Sequence, residues 1–274
     1  LFRVHKRNLP IVWGILIVFL GVFWFPIWWL FLTSIRSRSE TLAYPPVWFF
    51  RPTLEGFFYI FSSPDFLTAL RNSIVVGFLS TLFALALALP AAYALARFEF
   101  PARKNLAFYI ISTKMTPPVV VLFAFYLLFA RVGLLRTLTG VVVLHIALNL
   151  PLAVWLIKGF FESLPRGIEE AAKIDGCSDW GVMCKITLPM AFPGILVTSI
   201  LCLMFSWMEF IFASTVTDPA TRTIPVLIYS WISFSQIYWE RVAAAGVVYV
   251  LPMLVLSFAI RKHLLRGMSF GLLK

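Results

Sequence analysis

Six runs of predominantly apolar residues, each close to the length needed to cross a bilayer, divide this chain: 11–35, 67–96, 106–130, 137–160, 193–217 and 242–260. A helix needs about 20 such residues to traverse ~30 Å of hydrocarbon, and helices satisfy their own backbone polar groups where no water can. The rest of the composition leaves no soluble alternative. Apolar residues make up 61% of the 274 and charged residues 13%, with a mean hydropathy of +0.92, whereas soluble domains run near ~45–50% and ~25%. A soluble fold of this length has too little interior to hide that much apolar surface. The 28 Phe and 10 Trp exclude a disordered chain, and three Cys are too few for a disulfide scaffold. The expected fold class is therefore an all-α polytopic membrane protein with six transmembrane helices, organised as a single transmembrane domain over 1–274.

The first run is too long for a signal-peptide core and lacks a small-residue cleavage site, so it is expected to be retained. The chain opens at Leu1 rather than Met, and a few native residues are expected to precede it. Lysine and arginine then orient the spans. With the N-terminus in the cytoplasm, the inside segments hold 14 basic residues and the outside segments 8, and no lysine lies outside. Both termini are expected to be cytoplasmic. The net charge of +11 is spread in short clusters between apolar runs, so it sets membrane orientation and does not form a nucleic-acid patch. Cys177, Cys184 and Cys202 show no paired spacing and no nearby histidine, so no metal site is expected.

Two connections are long. The outside stretch 36–66 is rich in aromatic residues and proline (Tyr44-Pro45-Pro46-Val47-Trp48-Phe49-Phe50) and is expected to lie along the membrane surface, where amphipathic rings are at home. The inside stretch 162–190 reads as two short helices. Pro165 stands where a first helical residue would, Glu169 and Glu170 fall near the positive helix end, and Gly176 is placed to end the helix in a left-handed conformation. Ile168, Ala171, Ala172 and Asp175 share a face by three-and-four spacing, a flat surface suited to docking a soluble partner. A second helix is expected from Ser178, with Trp180, Met183 and Cys184 on one face, stopping before Pro189.

Glu170-Ala171-Ala172, then Gly176 after three residues, then Ile186, Leu188 and Pro189 after nine more, resembles the EAA signature of binding-protein-dependent ABC importer permeases. The similarity extends to Arg71-Asn72-Ser73, to Ala91-Ala92-Tyr93-Ala94-Leu95-Ala96-Arg97 and to Arg266-Gly267-Met268-Ser269-Phe270-Gly271, which look like the maltose-type (carbohydrate and polyol) inner-membrane subunits. Met208 is a departure, since such permeases often carry Asn there. The resemblance implies a type I importer fold and an ATP-driven importer in a bacterial cell membrane. Its partners would be a second permease subunit in a heterodimer, a cytoplasmic ATPase dimer and an extracytoplasmic solute-binding protein. It implies that Glu169, Glu170, Ala171, Ala172, Asp175, Gly176, Ile186, Leu188 and Pro189 couple to the ATPase, and that the C-terminal residues reach between the ATPase subunits. Thr221-Arg222-Thr223-Ile224-Pro225 looks most like sugar-alcohol or glycerol importers. No Gly-Lys-Ser/Thr run is present, so the phosphate cradle of an ATPase is missing and ATP and Mg would be held by the partner. No catalytic constellation is seen either; His5, His145 and His263 are scattered.

Translocation-path candidates come from charges and breaks inside the spans. Glu209 lies about 24 Å into span five and Lys114 about 12 Å into span three, so a direct pair requires a broken or displaced span. Lys114 can snorkel to the interface; Glu209 suits either a cavity or the outer interface. Pro117 and Pro118 are expected to interrupt span three, and Asn149-Leu150-Pro151 span four, either lining the path or easing packing. Trp207 neighbours Glu209, and His145 is expected at a helix interface. An ion-coupled secondary transporter is the alternative function, but no internal repeat supports it.

Overall fold

A computed structural model describes residues 9–232 and 237–269, with side chains described for 12–232 and 237–258. Within them the chain is helical: α1 (Leu9–Ser34), α2 (Arg38–Thr41), α3 (Glu55–Ser62), α4 (Pro64–Arg97), α5 (Arg103–Ser112), α6 (Pro118–Arg131), α7 (Leu138–Ser163), α8 (Arg166–Ile174), α9 (Asp179–Val182), α10 (Leu188–Met208), α11 (Ile211–Val216), α12 (Ile224–Ser230) and α13 (Trp239–Ser269). Five helical stretches are long and apolar enough to cross a membrane, and a bent pair, Arg103–Met115 with Pro118–Arg131, makes a sixth. The chain is an all-α polytopic membrane protein. The expected tail beyond 269 and the loop at 233–236 lie outside the described residues.

Two compact units are resolved. The first holds residues 1–67 and 228–252. Its α1 is apolar on every side, with Phe19, Phe23 and Trp24 all exposed, as suits a helix bathed in lipid. Where α1 ends, the buried Arg36 guanidinium lies 4.8 Å from the Trp29 ring centroid and 4.7 Å from that of Phe50. Arg241 stacks likewise on Tyr59 at 3.6 Å.

The second unit, residues 68–227 and 253–274, carries the functional features. Along α4, Asn72, Val76, Ser80, Ala84, Ala88, Ala92 and Ala96 recur every fourth residue, and all are buried. A ridge with this spacing slants across the helix axis, so its two ends meet different neighbours. Val76 packs with Phe129, Leu144, Phe212 and Val216. Ala88, Ala92 and Ala96 pack with Val154, Ile157 and Phe161 of α7 and with Ala191 and Cys202 of α10. The small side chains matter because lipid gives helices no hydrophobic reason to associate; close backbone approach and van der Waals contact must do so. Gly194 shows the same economy: a Cβ there would come within 2.3 Å of the Phe160 ring.

Prolines do not act alike in the six runs. Thr116 (ψ 129°) and Pro117 (ψ 131°) are extended, because each precedes a proline that forbids the helical region. The chain therefore turns by 96° between α5 and α6. The expected break at Asn149-Leu150-Pro151 is absent: α7 runs unbroken with Pro151 inside it. One missing N–H costs a single helical bond, which neighbouring helices can absorb. The expected stop before Pro189 is absent too. Residues 183–187 form a π turn, in which the Leu188 N–H bonds to the Met183 carbonyl, and the helix continues into α10 with Pro189 in its first turn. Widening by one residue accommodates the proline that an α-turn would reject. The fifth run, expected to be continuous to 217, breaks instead at Glu209 and Phe210, and α11 follows.

Candidate functional site

Two places in the second unit bring the expected residues together. The first is the α8–α9 hairpin. Pro165, expected as the first helical residue, is instead the N-cap, and α8 begins one position later at Arg166. At the other end Gly176 has φ +89°, its N–H bonds to the Lys173 carbonyl, and the Cys177 N–H bonds to that of Ala172, both at 3.0 Å. This pair of hydrogen bonds is the left-handed stop that glycine makes without strain. Ser178 then caps α9, accepting from the Gly181 N–H at 3.2 Å. Lys173 pairs with Asp179 across the turn, and that hydrogen bond holds the lysine amine above its ordinary range.

The hairpin is anchored by an internal clamp. Arg97, the last residue of α4, donates from Nε to Glu169 Oε2 at 2.6 Å and from Nη2 to Oε1 at 2.9 Å. Thr187 Oγ1 donates to the same carboxylate at 2.8 Å. Glu169 is only 5% exposed, so this is a desolvated, bidentate pair whose lone pairs are well used. Glu169 is thus an internal tether of the hairpin and not part of its outward face.

The face expected to hold Ile168, Ala171, Ala172 and Asp175 is divided. Ala172 is buried within the chain, while Ile168, Glu170, Ala171, Ile174 and Asp175 are exposed. Ala172 and Glu169 face inward three residues apart, which turns Ala171, Glu170 and the largely exposed Ile174 outward. Trp180 and Cys184 are exposed but Met183 is buried, because the π turn rotates it into the core beside Phe161. Ile186 and Leu188 are half-buried, and Leu188 packs on that core; Gly176 and Pro189 are exposed. Arg97 and Thr187 were missed as site residues; the sequence signal for Arg97 was its place at the end of a span, in the Ala91–Arg97 stretch that resembles the family, and Thr187 had none.

The second place is a cleft of about 500 Å³ between α6, α7, α10, α11 and the turn before Thr116. Pro118, Asn149 and Glu209 line it, while Pro117 and Trp207 do not. Trp207 is buried, and Gly77 lies against its ring. Glu209 accepts from the Phe212 and Ala213 N–H groups, both at 2.8 Å. Its Oε2 lies 3.6 Å from His145 Nε2. His145 Nδ1 contacts Ser206 Oγ at 2.6 Å, and Ser206 Oγ contacts Ser80 Oγ at 2.9 Å. A polar chain therefore joins α4, α7 and α10 to the start of α11 through the centre of the helical packing. Asn149 Nδ2 adds a bond to the Cys202 carbonyl at 3.2 Å. Lys114 shares the cleft with Glu209 because the Thr116–Pro118 break brings it there. It does not pair directly: its Nζ donates to the Leu148 carbonyl at 2.8 Å.

The stretch of sequence that builds this cleft and hairpin matches a known family. Residues 84–270 fit the model of the binding-protein-dependent transport system inner membrane component. The chain belongs to that family. The permease is 33% identical over 252 residues to the sulfoquinovosyl glycerol transport system permease protein SmoH of Agrobacterium fabrum, covering 91% of this chain and 88% of that one. It is 30% identical over 276 residues to the trehalose/maltose transport system permease protein MalG of Thermococcus litoralis, covering 99% and 98%. Its fold resembles a chain in the crystal structure of a bacterial ABC transporter involved in import of the acidic polysaccharide alginate. That match has a TM-score of 0.80 at 21% identity and covers 96% of this chain and 99% of that one. The permease is therefore a multi-pass membrane subunit of a binding-protein-dependent transport system.

Proposed function

We propose that the permease forms, with a second permease subunit, the membrane pathway of an ATP-driven importer for a carbohydrate, polyol or glycerol-like solute. An extracytoplasmic binding protein delivers the solute, and a cytoplasmic ATPase dimer binds ATP and Mg and supplies the work. The chain itself is not an enzyme. Both termini and the α8–α9 hairpin face the cytoplasm of a bacterial cell, with the hairpin seated on the ATPase. The solute class is supported by relatives named for trehalose, maltose and sulfoquinovosyl glycerol transport.

The observation that carries this reading is the hairpin: a short helix clamped to the core by Arg97–Glu169 that turns Glu170, Ala171 and Ile174 outward. A rigid base with an unpartnered outer face is what transmits a push from outside the membrane to the spans. The test is reconstitution of the two permease subunits with the ATPase in proteoliposomes, followed by addition of binding protein and solute. ATP hydrolysis and uptake are expected to rise together. Uptake driven by an ion gradient with no ATPase present would sink the reading. Single-cysteine labelling from outside checks orientation: positions in 36–66 and 218–240 should react, and 98–105 and 162–190 should not.

A further inference from the structure

The cleft is lined by three ionisable side chains, Lys114, His145 and Glu209, and the two of opposite charge, Lys114 and Glu209, are compensated unequally. Glu209 meets two backbone N–H groups at 2.8 Å and the His145 imidazole at 3.6 Å. These donors hold its negative charge in place. Lys114 has no such balance. Its Nζ donates to one neutral carbonyl, Leu148 O, at 2.8 Å, and sits 5.3 Å from the Phe205 ring centroid. Among the described residues no carboxylate lies within ion-pairing distance of it. An ammonium carries three donors, so with the Leu148 carbonyl and the ring face served, hydrogen-bonding capacity remains toward the cleft.

Lys114 is exposed, and its side chain lines the cleft. It belongs to a tight turn, Thr113–Met115, immediately before the Thr116–Pro118 break. That turn directs the side chain across to α7. The walls beside it are apolar and exposed to the cleft: Phe205, Met208 and Ile211. Flat apolar faces suit the C–H faces of a sugar ring, and few polar groups in an apolar cleft are what set ligand orientation. A cation in such a wall, with no carboxylate in direct contact among the described residues and with Glu209 already bonded to two backbone N–H groups, is costly at membrane depth. It becomes favourable when a ligand brings the anion, and the resulting bond is charge-assisted.

We propose that this cleft is a subsite for the anionic group of an acidic carbohydrate, such as a uronic acid, with the Lys114 ammonium as its counter-ion. The proposal rests on the importer reading above and narrows its solute class. Lys114 contacts the carboxylate, Phe205 and Met208 flank the ring, and Glu209 stays committed to the start of α11. A neutral sugar of the same shape would leave the ammonium without a direct ionic partner, so the cleft discriminates by charge.

The test uses the assembled transporter carrying Met208→Cys, with Cys177, Cys184 and Cys202 replaced by Ser. Labelling rates are compared for an anionic and a cationic methanethiosulfonate reagent of similar size. The anionic reagent is expected to be favoured, and Lys114→Gln should cut that preference at least about tenfold, while Lys114→Arg keeps it. Glucuronate should slow labelling, and glucose at equal concentration should not. Size-exclusion profiles establish that each variant assembles; should the glutamine variant not assemble, the arginine variant and the two sugars still decide. Equal reagent rates before the lysine is changed would overturn the proposal, because a carboxylate of the second subunit would then have taken the ammonium. Equal protection by glucose would overturn it too. Failure of the importer reading looks different: the charge preference persists, but no solute stimulates ATP hydrolysis.

Discussion

Arg97 and Glu169, 72 residues apart in sequence, meet through two parallel hydrogen bonds of 2.6 and 2.9 Å in a site nearly closed to solvent. The pair joins the last residue of a transmembrane helix to the helix that carries the family signature. A desolvated ion pair is no cheaper than an apolar contact, but removing one partner strands the other charge. Its value here is geometric: the planar guanidinium fork fixes the angle at which α8 leaves the core.

Glu169→Ala should therefore cost about 3–5 kcal/mol by leaving Arg97 buried and unpaired. Glu169→Gln should cost less, because its amide oxygen still accepts from Thr187. Thermal unfolding in detergent measures the difference. An unchanged midpoint for the alanine variant would mean that the clamp does not hold the hairpin.

Ala171→Asp and Ala172→Asp should separate docking from folding. Ala172 is buried within the chain and Ala171 is exposed. A carboxylate at 172 would be pushed into packed surroundings without a partner, so expression and thermal stability should fall. A carboxylate at 171 should leave the isolated permease intact yet loosen the ATPase in pull-down and lower uptake. Equal effects of the two substitutions on stability would contradict the inward turn of Ala172.

Gly176→Val should strain the hairpin even though nothing lies within 4 Å of the Cβ it would add. The strain comes from φ +89°, a backbone region that costs a β-branched residue ~1–3 kcal/mol. Gly176→Asn should be tolerated far better, since asparagine visits left-handed conformations. The readout is solute-stimulated ATP hydrolysis in the assembled transporter, reduced for valine and near normal for asparagine.

Glu209→Ala would remove the acceptor of two backbone N–H groups at the start of α11. Stranded donors at membrane depth should cost about 1–3 kcal/mol each. Glu209→Gln should retain one bond and about half of the stability. Thermal unfolding ranks the two, and equal midpoints would show that the break between α10 and α11 does not depend on this carboxylate.

Local chemistry in the sequence decided a good deal. Apolar runs long enough to span a bilayer set the number of crossings, because an unsatisfied backbone is intolerable in hydrocarbon. Gly176 stops α8 and Thr116-Pro117-Pro118 breaks the third run for reasons held within a few residues. The family signature was legible for the same reason: its spacing lies inside one hairpin. Tertiary structure decided what depended on distant neighbours. Pro151 and Pro189 do not end helices, because packing or a widened turn absorbs one lost hydrogen bond. Trp207 lies in the core beside the break at Glu209, although nothing near it in the sequence distinguishes it from a cleft residue. Glu169 and Glu170 are adjacent and chemically identical, yet one is buried and one exposed. That difference comes from Arg97, carried to the same place by a different helix, and side-chain burial is a property of which helices meet rather than of the residues themselves.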